Sequence, residues 1–277
     1  MSTPTSELQE LTNKSIIELF SVELKADVHY TKVAKTDNAY TQSDGSGGAG
    51  TQIVITLNSH GFSAGLILSL NFTTGNGIDG IYTIQSVTTN TFTVTATTSQ
   101  STSGNVSFNV NSTLTDPTVY LFHSGNNMKD SLDMVWQSNT YERMPCSAEG
   151  FKYSGKGTLP RPTLSFANVL GTVTAILQLA NQTTPFIDLQ GAKVTRRRTL
   201  SRFLDAVNFP SNVNPYGTPD PAAELPREIY FIDRKATENR NLVQFELVTS
   251  FDLHGVGAPK KLVTRDDFAG VGTFVNF

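Results

Sequence analysis

The sequence predicts a mainly β protein: a host domain that carries one packed α-helix and is interrupted by a small all-β unit. Three observations predict it. Between residues 36 and 113 apolar residues alternate with Thr, Ser and Asn in short runs punctuated by Gly and Asn turns. Outside that stretch, most apolar runs also repeat with a period of two. Only one long segment, 169–180, repeats with the period of a helix.

Taken in order, Ser6 to Leu11 reads as a short helix, with Ser6 as N-cap and Gln9 at capping-box spacing. Ser15 to Leu24 reads as a strand that places Ile16, Phe20, Val22 and Leu24 on one side. The composition then changes. From 36 to 113 there is no Lys, Arg or Glu, and the charges are Asp37, Asp44 and Asp79. Four apolar sets alternate here: Ile53, Ile55 and Leu57; Leu66, Leu68, Leu70 and Phe72; Phe92 and Val94; Val106, Phe108 and Val110. Asp44-Gly45, Asn76-Gly77 and Asp79-Gly80 supply turns that tolerate positive φ. The Gly-rich run 46–50 reads as a hinge. The expected division is therefore a host domain of residues 1–35 and 114–277 with a β module, 36–113, inserted into it.

The host resumes with a strand at Val119 to Phe122, and Leu164 to Phe166 is another. Asn168 is the expected N-cap of a helix from Val169 to about Ala180, with Val169, Val173, Ile176, Leu177 and Ala180 on its inner face. Lys193 to Phe203 and Glu228 to Ile232 read as strands. Between them, Pro210, Pro215, Pro219, Pro221 and Pro226 impose an extended loop. In Leu242 to Leu253 the alternation of Val243, Phe245, Leu247, Phe251 and Leu253 with polar residues is the clearest of all.

Composition narrows the function. A charged fraction of 16% and a net charge of −3 give no long-range pull on nucleic acid or anionic lipid. No apolar run approaches the ~18 residues of a membrane-spanning helix. The first five residues lack the basic start and apolar core of a signal peptide, so synthesis and folding in a cytoplasm are expected. Cys146 is the single cysteine, which excludes an internal disulfide and a multi-thiolate zinc site within this sequence.

Several motifs invite chemistry. Gly150 to Gly157 has nearly the spacing of a phosphate-binding loop. However, Gly157 stands where a hydroxyl must reach magnesium, and Pro160-Arg161-Pro162 follows where a helix should begin. A structural turn is the better reading. His29, His60, His123 and His254 form no metal-ligand spacing, and Cys146 has no convincing His partner. No catalytic residue and no metal is expected. The strongest positive cluster is Arg196-Arg197-Arg198 with Arg202. On a strand, Arg196, Arg198 and Arg202 would share a face. No aromatic ladder interleaves them as in a single-strand binder. These three are therefore candidates for a subunit interface where arginines meet carboxylates, with nucleic-acid contact as the competing reading.

Residues 119–209 carry a resemblance. Tyr120-Leu121-Phe122-His123 opens it; Trp136, Tyr141, Pro145 and Gly150-Phe151 follow. Next come Ser154-Gly155-Lys156-Gly157-Thr158 and Arg161-Pro162-Thr163-Leu164, then Asn168, Arg196-Arg197-Arg198 and Arg202-Phe203-Leu204-Asp205-Ala206-Val207-Asn208-Phe209. In this order they resemble the minor tail protein L family of lambda-like siphophages. Weaker similarity continues through Phe245 to Leu253 and precedes the insertion at Ile17 to Phe20. His60-Gly61-Phe62, Gly80-Ile81-Tyr82, Asn90 to Val94 and Ser103 to Val106 separately resemble a small β module of phage tail proteins.

The resemblance implies a tail-tube-like β-barrel or sandwich fold and a place in the virion tail tip after assembly in the host cytoplasm. It implies a hub or adaptor, a threefold homo-oligomer around the channel, that joins the distal tail ring protein to a central hub or fibre protein, with the tape measure protein as a neighbour. DNA would pass without specific binding, and no membrane would be touched before infection. Family members usually continue into a cysteine-rich domain resembling an iron–sulfur site. Here the sequence stops at Phe277 with one cysteine, so no cofactor is expected. The alternative from another functional class is a receptor- or carbohydrate-binding role for the inserted module.

Overall fold

The computed structural model describes residues 15–43, 52–114, 117–125, 129, 133–151, 160–168 and 171–250. Among them, fifteen strands and one α-helix form a closed six-stranded barrel and a nine-stranded sheet. The protein is mainly β, as the alternation predicts.

The barrel consists of β2 (Lys32–Ser43), β3 (Gln52–Thr56), β4 (Ile67–Phe72), β5 (Gly80–Val87), β6 (Thr91–Thr95) and β7 (Thr102–Asn111), closing in the order β2-β3-β6-β5-β4-β7. The four alternating sets point inward together. Ile53, Ile55, Leu68, Leu70, Phe92, Val94, Val106 and Phe108 are all buried in one core, with Leu57 and Phe72 at its margin. Phe62, Phe92 and Phe108 meet edge to face, so the interior is filled with side chains. One end is closed by Tyr40, whose hydroxyl accepts from the Gly77 N–H at 2.9 Å. Gly75 (φ 81°) has to be glycine here, because a Cβ would lie 2.4 Å from the Tyr40 hydroxyl. The barrel begins at Lys32, four residues before the composition changes. Asp44-Gly45 and the run 46–50 lie outside the described residues.

The sheet takes β1 (Ile16–Glu23), β8 (Val119–His123), β9 (Met134–Trp136), β10 (Asn139–Arg143), β11 (Cys146–Glu149), β12 (Thr163–Ala167), β13 (Lys193–Leu200), β14 (Glu228–Glu238) and β15 (Leu242–Val248). Its order is β11-β12-β15-β14-β13-β1-β8-β10-β9. Its two faces are separately covered. On one, Phe20, Phe122, Val194, Tyr230, Phe245 and Leu164 form a core under helix α1 (Thr172–Thr183), which contributes Val173, Leu177 and Ala180. On the other, Leu19, Val119 and Leu121 pack with Trp136, Tyr141, Leu204 and Phe209.

Several elements differ from expectation. Helix α1 is described from Thr172 and runs on to Thr183, past the expected end at Ala180, while Val169 lies outside the described residues. Gly171 occupies the N-cap position at φ 71°, and the chain enters the helix through it. Asn168 still braces the first turn: its Nδ2 donates to Thr174 Oγ1 at 2.8 Å. β13 ends at Leu200, because residues Ser201–Phe203 wind into a 3₁₀ turn. β14 continues six residues past Ile232. The proline-bearing loop is not simply extended: it holds a 3₁₀ turn at Pro210–Asn212. The Ser6–Leu11 segment, 152–157 of the Gly150–Gly157 motif, His254 and residues 251–253 of the last strand lie outside the described residues.

Two crossings connect barrel and sheet, and they are hydrogen-bonded to each other. Leu24 N–H donates to Thr118 O and Ser112 N–H to Thr31 O, both at 2.9 Å. A third contact comes from Asn139, 4% exposed. Its Nδ2 donates to Ile81 O at 3.2 Å, and its Oδ1 accepts from Thr83 Oγ1 at 2.8 Å. Ile67 and Ile81 add apolar contact to the core around Trp136.

Candidate functional site

The arginine strand β13 lies near the middle of the sheet, between β1 and β14. Register decides where each guanidinium goes. Arg196 is opposite Phe20 on β1 and Glu228 on β14, and Arg198 is opposite Glu18. Cross-strand partners share a face, so Arg196, Arg198, Glu18 and Glu228 meet at one end of the helix-covered face. Arg196 Nη1 donates to Glu228 Oε2 at 2.9 Å, and Arg198 Nη2 to Glu228 Oε1 at 2.8 Å. Arg196 also pairs with Glu18 and lies 4.6 Å from the centre of the Phe151 ring. Burial opposes charge on Arg196, but the hydrogen bonds to Glu18 and Glu228 outweigh it and raise its pKa.

Arg197 points the other way, and it is the most buried of the cluster at 8% exposed. Its guanidinium stacks on Trp136, 4.5 Å from the ring centre, and Nη2 lies 2.8 Å from Glu224 Oε2. Arg227 Nε donates to the other oxygen of Glu224 at 2.5 Å. The residues flanking Glu224 bind β13 directly: Leu225 N–H donates to Arg198 O, and Thr199 Oγ1 to Ala223 O. Sequence reasoning passed over Arg197. The signal was the alternation itself, which places Arg197 opposite Leu19 in the cross-strand register.

The structure corrects the expected arrangement of Arg196, Arg198 and Arg202 on one strand face. Arg196 and Arg198 are together. Arg202 lies in the 3₁₀ turn, over the Phe203 ring at 5.5 Å. The carboxylates that meet Arg196 and Arg198 belong to this chain. These pairs are nearly three-quarters or more buried on the arginine and Glu228 side chains, so they neutralise charge inside the sheet.

The loop after β13 is held by buried polar side chains. Asp205 accepts the N–H groups of Gln137 and Ser138 at 3.3 and 2.9 Å. Its burial raises its pKa against those two bonds. Asn208 accepts from Val135 N–H and donates to Val135 O. Asn214 donates to Arg202 O and Leu204 O. With its backbone held this way, the loop presents Val207, Val213 and Tyr216 at 42%, 64% and 37% exposed.

His29 and His60 are structural. Each accepts a backbone N–H at Nδ1, and their Nε2 atoms lie 3.0 and 3.1 Å from carbonyl oxygens. That geometry suits the neutral ring. Burial raises the thiol of Cys146 to about 11, so it stays protonated. An iron–sulfur cluster needs several thiolates. One protonated cysteine does not fit that group.

The family model described as phage minor tail protein L matches residues 112–269, more than half of the chain. That span begins where the barrel ends. Tail tip protein L of Escherichia phage lambda is 39% identical over 101 residues, 36% of this chain and 40% of that protein. The match therefore spans less than half the length of that relative. The arginine strand and the loop pinned to Val135, Gln137 and Ser138 lie inside the family-matched span, and the chain belongs to the phage minor tail protein L family, the structural proteins of the virion tail.

Proposed function

We propose that this chain is a hub or adaptor of the tail tip, joining the distal tail ring to the central hub or fibre protein around the DNA channel. The observation that carries this reading is the family match across the sheet half of the molecule. The architecture supports it. The three arginines of β13 are bound to carboxylates of the same chain, so they are not poised to hold phosphates of passing DNA. A threefold ring contacting the tape measure protein completes the reading. In it Arg196 and Arg198, tied to Glu18 and Glu228, stiffen the sheet behind a subunit interface, and Arg202, in the turn after β13, is a candidate for contact at it. Residues 36–113 are an added module, all but its last two residues outside the matched span.

Labelling tests this. Antibody fragments raised against the barrel should decorate purified tails at the distal end alone. Label along the tail tube or at the head joint would refute the assignment.

A further inference from the structure

A trough runs between the barrel and the sheet face that carries Leu19. Register builds its floor: Ser21 is opposite Thr195, Glu23 opposite Lys193, and Thr195 opposite Ile229. The barrel wall presents Ser69, Asn71, Thr95 and Thr97. One chamber, of about 360 Å³, reaches Asn139. A second, of about 250 Å³, reaches Leu24 and Thr118. The two share Glu23, Ser69 and Asn71, so they are parts of one trough. Both ends are tied. Asn139 is bonded to Ile81 and Thr83 at one end, and Leu24 N–H donates to Thr118 O at the other. The spacing of the walls is therefore set by the fold, which is preorganisation for a ligand.

The polar groups along the trough are unspent. Ser21 is 2% exposed and lines the floor, yet its hydroxyl makes no hydrogen bond among the described residues. The side chains of Ser69, Asn71, Thr95, Thr97 and Thr195 make none there either. Buried hydroxyls are ordinarily paired, so Ser21 calls for a partner from outside the chain. Charge is already balanced. The cations at the trough are Lys193, Arg197 and Arg227, and they meet Glu23 and Glu224 of the same chain. Asp79 supplies a third carboxylate. Phosphate therefore finds no surplus cation. An extended peptide cannot add as a strand, because β1, β13 and β14 have neighbours on both sides and the barrel is closed. Ile78 of the barrel and Ile229 of the sheet, 46% and 48% exposed, add aliphatic contact. Rows of hydroxyls and amides, cancelled charge and flanking aliphatic groups suit sugar rings, with their hydroxyl edges and CH faces.

We propose that this trough binds a neutral oligosaccharide, with Ser21, Asn71 and Thr97 exchanging hydrogen bonds with sugar hydroxyls. The binding is additional to the hub role, and it needs both the barrel and the sheet.

An array of neutral and acidic bacterial-surface oligosaccharides, incubated with the purified full chain, tests this. Neutral members should be retained. The best of them, titrated by calorimetry, should show one site per chain. Ser21→Ala, Asn71→Ala and Thr97→Ala should each weaken it about tenfold, as expected for one lost hydrogen bond. Ser69→Trp should block the trough and abolish binding, while Thr56→Ala, outside it, should bind as wild type. Each variant should keep the wild-type circular dichroism spectrum. An array on which no neutral glycan is retained overturns the proposal. Affinity unchanged in all four trough variants puts the binding elsewhere and overturns it as well. Retention of acidic glycans alone, lost in Arg227→Ala, would make the trough an anion site instead. The hub reading stands or falls separately, by the labelling of tails.

Discussion

Arg197 lies over Trp136, its guanidinium carbon 4.5 Å from the ring centre, and both side chains are buried on the sheet face away from helix α1. Stacking satisfies the face of the guanidinium, and Glu224 satisfies its edge at 2.8 and 2.9 Å. Removing Arg197 uncovers the indole and leaves Glu224 paired with the exposed Arg227. Arg197→Ala is expected to lower stability by about 3 kcal/mol, at the low end for a broken buried pair. Trp136 is the sole tryptophan, so denaturant unfolding followed by its fluorescence measures the loss. A cost under ~1 kcal/mol would show that the stack contributes little.

Glu228 serves two arginines with one carboxylate, and Glu18 serves one. Glu228→Gln should therefore destabilise more than Glu18→Gln. The difference should be about 1–2 kcal/mol, since Glu228 is 11% exposed on its side chain and Glu18 is 35%. Equal costs in matched denaturation curves would contradict the pairing.

His29 sets a pH dependence. Burial lowers its pKa below the usual 6.5, and its ring joins Lys25 N–H to Gln190 O at the crossing into the barrel. The unfolded chain then binds a proton more readily than the folded one. The stability His29 contributes is complete above pH ~6.5 and declines as pH falls through the lowered value. The melting temperature should drop below pH ~6, and the drop should shrink in His29→Gln. An unchanged pH profile in that variant would assign the drop to other groups.

The barrel was legible because its period is two and its inward residues are apolar on nearly every strand. β2 escaped notice: a bulge between Lys35 and Asn38 breaks its alternation, and Lys32, Lys35 and Asp37 look like a solvated loop. The inner face of α1 was legible at Val173, Leu177 and Ala180. Its start was not, because Gly171 holds the N-cap position and Asn168 reaches the first turn from three residues earlier, its Oδ1 accepting the Thr174 N–H at 3.4 Å and its Nδ2 donating to Thr174 Oγ1. Arg196 and Arg198 could be placed on one face from alternation alone. Their carboxylates could not be found, because Glu18 is 178 residues from Arg196 in sequence. The anchoring of the loop by Asp205 and Asn208 also depends on β9 and the turn into β10, and both strands are too short to show a period.

The barrel supplies the last prediction. Its fifteen-residue core is drawn from its own strands and turns, and its six strands close on themselves, so no edge depends on the sheet. Its attachment is narrow by comparison: two hydrogen-bonded crossings, the Asn139 and Gln85–Ser138 bridges, and the apolar contact of Ile67 and Ile81 with the core around Trp136. We propose that the barrel is an independently folding unit with boundaries near 32 and 111, slightly wider at its start than the compositional change at 36. Residues 30–113 expressed alone should give a β-type circular dichroism spectrum and one cooperative thermal transition. Phe92 is fully buried against His60, Phe62 and Phe108, and Phe92→Ala should cost about 3–5 kcal/mol. That is enough to unfold so small a domain near room temperature. In the full chain the same substitution should abolish the barrel transition while Trp136, in the sheet half, keeps its own unfolding midpoint within about 1 kcal/mol. If the Trp136 midpoint falls together with the barrel, the two halves fold as one unit and the insertion is not autonomous.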